Sequence, residues 1–154
     1  MRRNAFQRTV VRAARTKPGA RVFAATAQHL DRFVYRATRG RGTLASWASG
    51  LPVVMLTTTG RRSGRQVTTP IVAVPDDGAL VLVGSNFGQA HHPAWVHNLR
   101  ADARAWIDGR EVRAEEVEGA ERERLMALAT DVYPGYPAYV ERAQPRRIAV
   151  MRLR

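Results

Sequence analysis

The chain has 154 residues, no cysteine and a formal net charge of +12. That length fits one domain able to bury its own core, and the lack of cysteine excludes disulfides, thiolate nucleophiles and cysteine-ligated metals. The apolar stretch around Leu51–Leu56 is far too short to cross a bilayer, and no apolar run of signal-peptide type follows the basic N-terminus.

The charge is unevenly spread. Residues 1–65 hold fourteen Arg/Lys against a single acid, Asp31, a surplus of +13, whereas residues 66–154 sum to −1. A basic arm of this kind calls for an anionic partner: nucleic acid, an anionic membrane or an acidic cofactor. Few aromatics interleave the arginines, which argues against a stacking platform for nucleic acid. The cysteine-free composition fits the cytoplasm, with the arm 1–42 available for peripheral contact with the membrane's inner face.

In chain order, residues 1–16 are polar and without a clean period, and Lys17-Pro18-Gly19 breaks the chain. From Ala20 to about Arg36, Phe23, Ala27, Leu30, Phe33 and Val34 recur at three- and four-residue steps. That pattern reads as an amphipathic helix, ended by Arg39-Gly40-Arg41-Gly42. After Gly50 the period changes. Pro52–Thr59 and Gln66–Val74 read as two strands joined by the turn Gly60–Arg65. Pro75-Asp76-Asp77-Gly78 is a turn signal, and Ala79–Ser85 a third strand. His92–Ala101 reads as a short helix that Pro93 opens at its first position. Ala103–Ile107 and Glu111–Val117 read as strands joined by Asp108-Gly109, a type I′ hairpin signal. Glu118–Val132 reads as a helix with a charged face, Pro134–Arg142 as an aromatic-rich helix, and Arg147–Leu153 as a closing strand. Six short strands with few helices predict a mostly β, α+β fold: a small antiparallel barrel decorated by helices. Residues 1–50 form its basic helical extension and residues 51–154 the barrel domain.

Three clusters carry candidate chemistry. The first is the turn Gly60-Arg61-Arg62-Ser63-Gly64-Arg65. Its glycines permit a tight bend, and its three guanidiniums suit phosphate or carboxylate. A surface hairpin with solvated arginines accounts equally well for the pattern alone. The second is Gly84-Ser85-Asn86-Phe87-Gly88, followed by His91-His92-Pro93-Ala94-Trp95. Here Ser85 and Asn86 can hydrogen-bond a heterocycle edge, while Trp95 reads as a packing anchor. The third is Tyr133, Tyr136 and Tyr139, whose three-residue steps would place them near one face of a helix, as a pocket wall or as packing. His91, His92 and His97 lack the four-residue step of zinc helices and any nearby carboxylate pair, so no metal site is expected.

Four segments taken together resemble the deazaflavin-dependent nitroreductase family, within the flavin/deazaflavin oxidoreductases of split β-barrel fold. They are Leu56-Thr-Thr-Thr-Gly-Arg-Arg-Ser-Gly-Arg65, Gly84-Ser-Asn-Phe-Gly88, His92-Pro-Ala-Trp-Val-His-Asn-Leu99 and Tyr133-Pro-Gly-Tyr-Pro-Ala-Tyr139. The match covers about residues 51–151, and the N-terminal fifty match only loosely. The resemblance implies an FMN-binding-like split barrel, coenzyme F420 as redox cofactor, and hydride transfer to an electron-poor acceptor such as a nitro compound, a quinone or an activated alkene. It implies that Arg61, Arg62 and Arg65 grip the coenzyme's phosphodiester and glutamate tail, with Gly60, Ser63 and Gly64 shaping the turn. Ser85 and Asn86 would face the ring, and Pro93, Trp95 and Asn98 would brace the cleft. Tyr133, Tyr136 and Tyr139 would line the substrate side, with Ser85, Tyr133 or Tyr136 positioning the acceptor. The chain departs from the family pattern at Val67, often basic there, and at Asn86, often lysine. Alternatives are a split barrel that binds FMN or haem, and a basic non-enzymatic module. A homodimer is compatible with a cleft on so small a barrel.

Overall fold

The computed structural model describes residues 51–154. The chain divides after Val53, and the unit that follows is Val54–Arg154. The helix expected over residues 20–36 and the basic arm 1–42 lie outside the described residues.

Six antiparallel strands close into a barrel: β1 (Val53–Thr59), β2 (Gln66–Asp76), β3 (Ala79–Val83), β4 (Arg104–Ile107), β5 (Arg110–Glu116) and β6 (Val150–Leu153). Their order around the barrel is β1-β2-β3-β6-β5-β4, and closure leaves no free sheet edge. Three helices among the described residues complete the fold: α1 (Ala94–Ala101), α2 (Gly119–Val132) and α3 (Tyr136–Ala143). This is the mostly β barrel with helices that the strand pattern predicts.

Alternation sends Leu56 and Thr58 of β1 and Ala105 and Ile107 of β4 to the buried side. Registers such as Leu56 opposite Ile107 and Leu82 opposite Met151 stack these apolar residues in one core. Trp95, Val96 and Leu99 of α1 join the same cluster, so one face of the helix shares the barrel's core. The turns Asp77-Gly78 and Asp108-Gly109 have positive φ at both residues, as a type I′ hairpin requires.

Several boundaries differ from expectation. β2 continues through Pro75 to Asp76, which pairs with Ala79, so the expected four-residue turn shrinks to Asp77-Gly78. Pro93 caps α1 from outside rather than opening it, with φ −64° and ψ 153°, and β6 begins only at Val150. The tyrosines do not share one helix. Tyr133 ends α2 in an extended conformation, φ −129° and ψ 93°, while Tyr136 and Tyr139 belong to α3. Pro134 is the physical reason, because a proline disfavours helical geometry in the residue before it.

Strand direction sorts the connections between the two barrel ends. β1, β3 and β5 run toward one end and β2, β4 and β6 run away from it. The turn Gly60–Arg65, the loop Gly84–His92, the exit of β5 and the approach to β6 therefore gather at one end. The two type I′ hairpins lie at the other.

Candidate functional site

The basic turn is closed by its own backbone. The Gly60 N–H donates to the Arg65 carbonyl at 2.8 Å, and the Gly64 and Ser63 N–H groups donate to the Gly60 carbonyl at 2.8 and 3.2 Å. Gly64 sits at φ +66°, a conformation that favours glycine. Most turn amides are thus spent on shape, and the three arginine side chains are left pointing outward. Arg61, Arg62 and Arg65 are exposed, and among the described residues none forms an ion pair. Three unpaired guanidiniums on a rigid turn make a surface that attracts phosphate and carboxylate.

Asn98 ties this turn to α1. Its Oδ1 accepts from the Arg61 N–H at 3.1 Å and its Nδ2 donates to the Thr58 hydroxyl at 3.0 Å. Both Asn98 and Thr58 are buried polar residues, and each satisfies the other. Trp95 and Pro93 act on the same helix: the ring anchors it in the core, and the proline sets where it begins. The sequence singles out Asn98 but gives no signal for Thr58, which reads as one more β-branched strand residue.

The loop after β3 folds into a short 3-10 turn, Asn86–Gly88. Asn86, Phe87 and Gly88 all have positive φ, at 47°, 55° and 76°. Such geometry costs of order 1–3 kcal/mol for each residue other than glycine. Asparagine tolerates it better than lysine does, which gives a physical reason for Asn86 here, and its Nδ2 donates to the His91 carbonyl at 3.1 Å. A Cβ on Gly88 would lie 2.8 Å from the Arg142 Cβ and 3.0 Å from the Tyr139 carbonyl, so only glycine lets the loop seat on α3. The Ser85 hydroxyl has no hydrogen-bond partner among the described residues, and the residue is half-buried.

The tyrosines form one aromatic knot despite their different elements. Tyr133 and Tyr139 share a hydroxyl–hydroxyl bond of 2.8 Å, and Tyr136 meets Tyr133 edge-on at 5.1 Å between centroids. Phe87 meets Tyr139 edge-on at 6.1 Å, and the Arg142 guanidinium lies 4.9 Å from the Tyr139 ring centre. The loop Gly84–His92 and the tyrosines are therefore one packed unit. All three rings are buried. Burial pushes the Tyr136 and Tyr139 phenols well above their ordinary range, so they stay protonated.

His92 and His97 lie edge-on at 5.7 Å between ring centres. Both titrate below the usual histidine value, because of burial first and then of nearby arginines. For His97 those arginines include Arg61 and Arg62 of the turn, which places α1 inside the same positive field. Arg146, absent from every sequence motif, reaches the loop from the segment between α3 and β6.

Comparison with known proteins bears on this arrangement. The sequence model of a family described as F420H(2)-dependent quinone reductase matches residues 27–153, well beyond the start of the barrel. Rv3178 of Mycobacterium tuberculosis strain H37Rv, named for F420H(2)-dependent quinone reduction, is 30% identical over 108 residues, 66% of this chain and 91% of that protein. Among solved structures, an F420-H2 dependent reductase, FDR-A, is 32% identical with a TM-score of 0.59, covering 67% of this chain and 94% of its own. A domain-swapped dimer is 29% identical with a TM-score of 0.63, covering 90% of this chain and all of that one. By the extent of the family match and of its relatives, the chain belongs to the F420H(2)-dependent quinone reductase family.

Proposed function

We propose that this protein binds coenzyme F420 across the end of the barrel that carries the basic turn, and uses its reduced form to reduce a quinone. The observation that carries the reading is the Gly60–Arg65 turn, whose three exposed guanidiniums form no ion pair among the described residues and whose backbone is tied to α1 through Asn98. These residues fit the coenzyme's acidic tail, a phosphodiester followed by glutamate. Arg61, Arg62 and Arg65 hold that tail, and Gly60, Ser63 and Gly64 give the turn its shape. Pro93, Trp95 and Asn98 keep the helix and the turn in register.

The ring lies toward Ser85 and Asn86. When bound and reduced, the coenzyme supplies the hydride, and the protein binds, orients and holds protons. Ser85 offers a hydroxyl with no hydrogen-bond partner among the described residues. Of the tyrosines, Tyr136 makes no hydroxyl hydrogen bond among the described residues, whereas one of Tyr133 and Tyr139 spends its proton on the other. Burial keeps the Tyr136 phenol protonated across the working pH range. Tyr133 and Tyr139 brace it from either side and complete the acceptor wall. Nitro compounds and activated alkenes are further acceptors of the same electron-poor class.

Assembly as a homodimer is part of this proposal, supported by the domain-swapped dimer among its structural neighbours. The deciding experiment titrates the purified chain with coenzyme F420 by fluorescence, with FMN as comparator. Oxidation of the reduced coenzyme is then followed with a quinone, a nitroarene and an activated alkene. Micromolar binding of F420 and quinone-dependent turnover are expected. Preference for FMN, or binding without turnover on any acceptor, would sink the proposal.

A further inference from the structure

The Gly84–His92 loop cannot hold its shape alone. Three successive residues in left-handed geometry are restrained internally by two backbone bonds, Gly88 N–H to the Ser85 carbonyl at 2.9 Å and Gln89 N–H to the Asn86 carbonyl at 3.0 Å, and by the Asn86 side chain, which donates to the His91 carbonyl at 3.1 Å. Strained geometry of this kind persists only where the surroundings fix it.

Gly88 and Phe87 seat the middle of the loop on α3, and Arg146 ties its two ends and its middle together. Its Nε–H donates to the Gln89 carbonyl at 3.0 Å, and its Nη2 donates to the Ser85 carbonyl at 2.8 Å. Its Nη1 donates to the Gly84 carbonyl at 3.1 Å and to His92 Nδ1 at 3.3 Å. These acceptors mark both ends and the middle of the loop. Arg146 is itself fixed, since its N–H donates to the Ala143 carbonyl at the end of α3 at 2.8 Å. The side chain is half-buried, and no carboxylate among the described residues forms an ion pair with it. A half-buried cation that spends its donors on neutral carbonyls gives up part of its hydration without a compensating charge.

We propose that Arg146 is a positioning residue for the redox reaction: its planar fork fixes the Gly84–His92 loop so that Ser85 and Asn86 meet the coenzyme ring in one orientation. The inference rests on placing the ring beside Ser85 and Asn86, as argued above. Lysine cannot substitute, because one ammonium on a flexible stem does not reproduce a rigid planar array of donors.

The test compares the parent chain with Arg146→Lys and Arg146→Ala, scoring only folded, coenzyme-loaded protein. Coenzyme affinity is expected to hold within about threefold, since the tail is gripped by a different turn. Single-turnover hydride transfer to menadione should fall about 10²-fold in Arg146→Ala, the loss expected from a misplacement of about 1 Å. Arg146→Lys should recover little of it. Arg146 and His92 line a cavity of about 290 Å³ together with Arg100, Glu116 and Ile148, so added methylguanidine has room to enter and restore part of the rate in Arg146→Ala. Hydride transfer within about threefold of the parent in both variants overturns the inference, as does a slower rate that methylguanidine leaves untouched while Arg146→Lys is fully active. If Arg146→Ala does not fold, the Arg146→Lys rate decides alone. A parent chain that binds no F420 refutes the functional reading, and this inference with it; a fully active parent with fully active variants refutes this inference only.

Discussion

Arg61 and Arg62 are exposed and form no ion pair among the described residues, unlike several other arginines of the barrel unit. Arg100 forks onto Glu116 at 2.7 Å, Arg104 pairs with Asp102, and Arg152 with Glu121. Replacing both Arg61 and Arg62 with alanine should therefore leave stability nearly unchanged while weakening F420 binding by about 10- to 100-fold, the loss of two charge-assisted contacts at an exposed site. Isothermal titration at two salt concentrations checks this, since the parent's affinity should fall with salt and the variant's should fall less. His92 gives a second residue-scale prediction. Its folded pKa lies below the unfolded value of 6.5, so the folded protein favours the neutral ring. The stability this contributes is complete above about pH 6.5 and is lost as pH falls through the depressed folded value. The thermal midpoint should fall on acidification across that window, and His92→Gln should flatten the slope. An unaltered slope would remove His92 as its source.

Among elements, the contact that matters most joins the β1–β2 turn to α1. Asn98→Ala deletes both an acceptor for the Arg61 N–H and a donor to Thr58, within a buried setting. The expected cost is about 1–3 kcal/mol by denaturant unfolding, with F420 affinity reduced although all three turn arginines remain. Unchanged affinity would mean that the turn keeps its shape without the helix. The strands, the Asp108-Gly109 hairpin and the basic turn were legible in the sequence because alternation, an Asp-Gly pair and bracketing glycines act locally, whereas the turn after β2 reads two residues too long because pairing runs on through Pro75 to Asp76. The sequence marks the break between α2 and α3 at Pro134, but the single-helix reading of the tyrosines failed because it carried their three-residue step across that break. Arg146 was not legible at all. Its role depends on acceptors more than fifty residues away in sequence, and nothing near it marks an arginine that serves carbonyls rather than carboxylates. The family resemblance located the turn and the loop, whereas their connection through Asn98 and Thr58 emerged only from the fold.

Across the whole molecule, charge and topology point the same way. The basic surplus ends with the turn at Arg65, and the remainder of the chain is nearly neutral. Within the described residues the last part of that surplus, Arg61, Arg62 and Arg65, is exposed on the β1–β2 turn, so an acidic ligand approaching that turn meets positive charge within about a Debye length at physiological salt. The family match extends back to residue 27, so the stretch that resembled known relatives only loosely is in part family sequence as well. No helix among the described residues is long and apolar enough to cross a membrane.

The segregation of the two barrel ends has a practical consequence for engineering. Asp77 and Gly78 are exposed, and a Cβ on Gly78 would meet open space. Both stand at the end away from the arginines, the loop and the tyrosines. A short reporter peptide inserted between them should shift the unfolding midpoint only slightly and leave F420 turnover intact, whereas the same insertion between Arg62 and Ser63 should abolish binding. The hairpin tip is thus a port through which the enzyme can be labelled, tethered or fused without touching its chemistry.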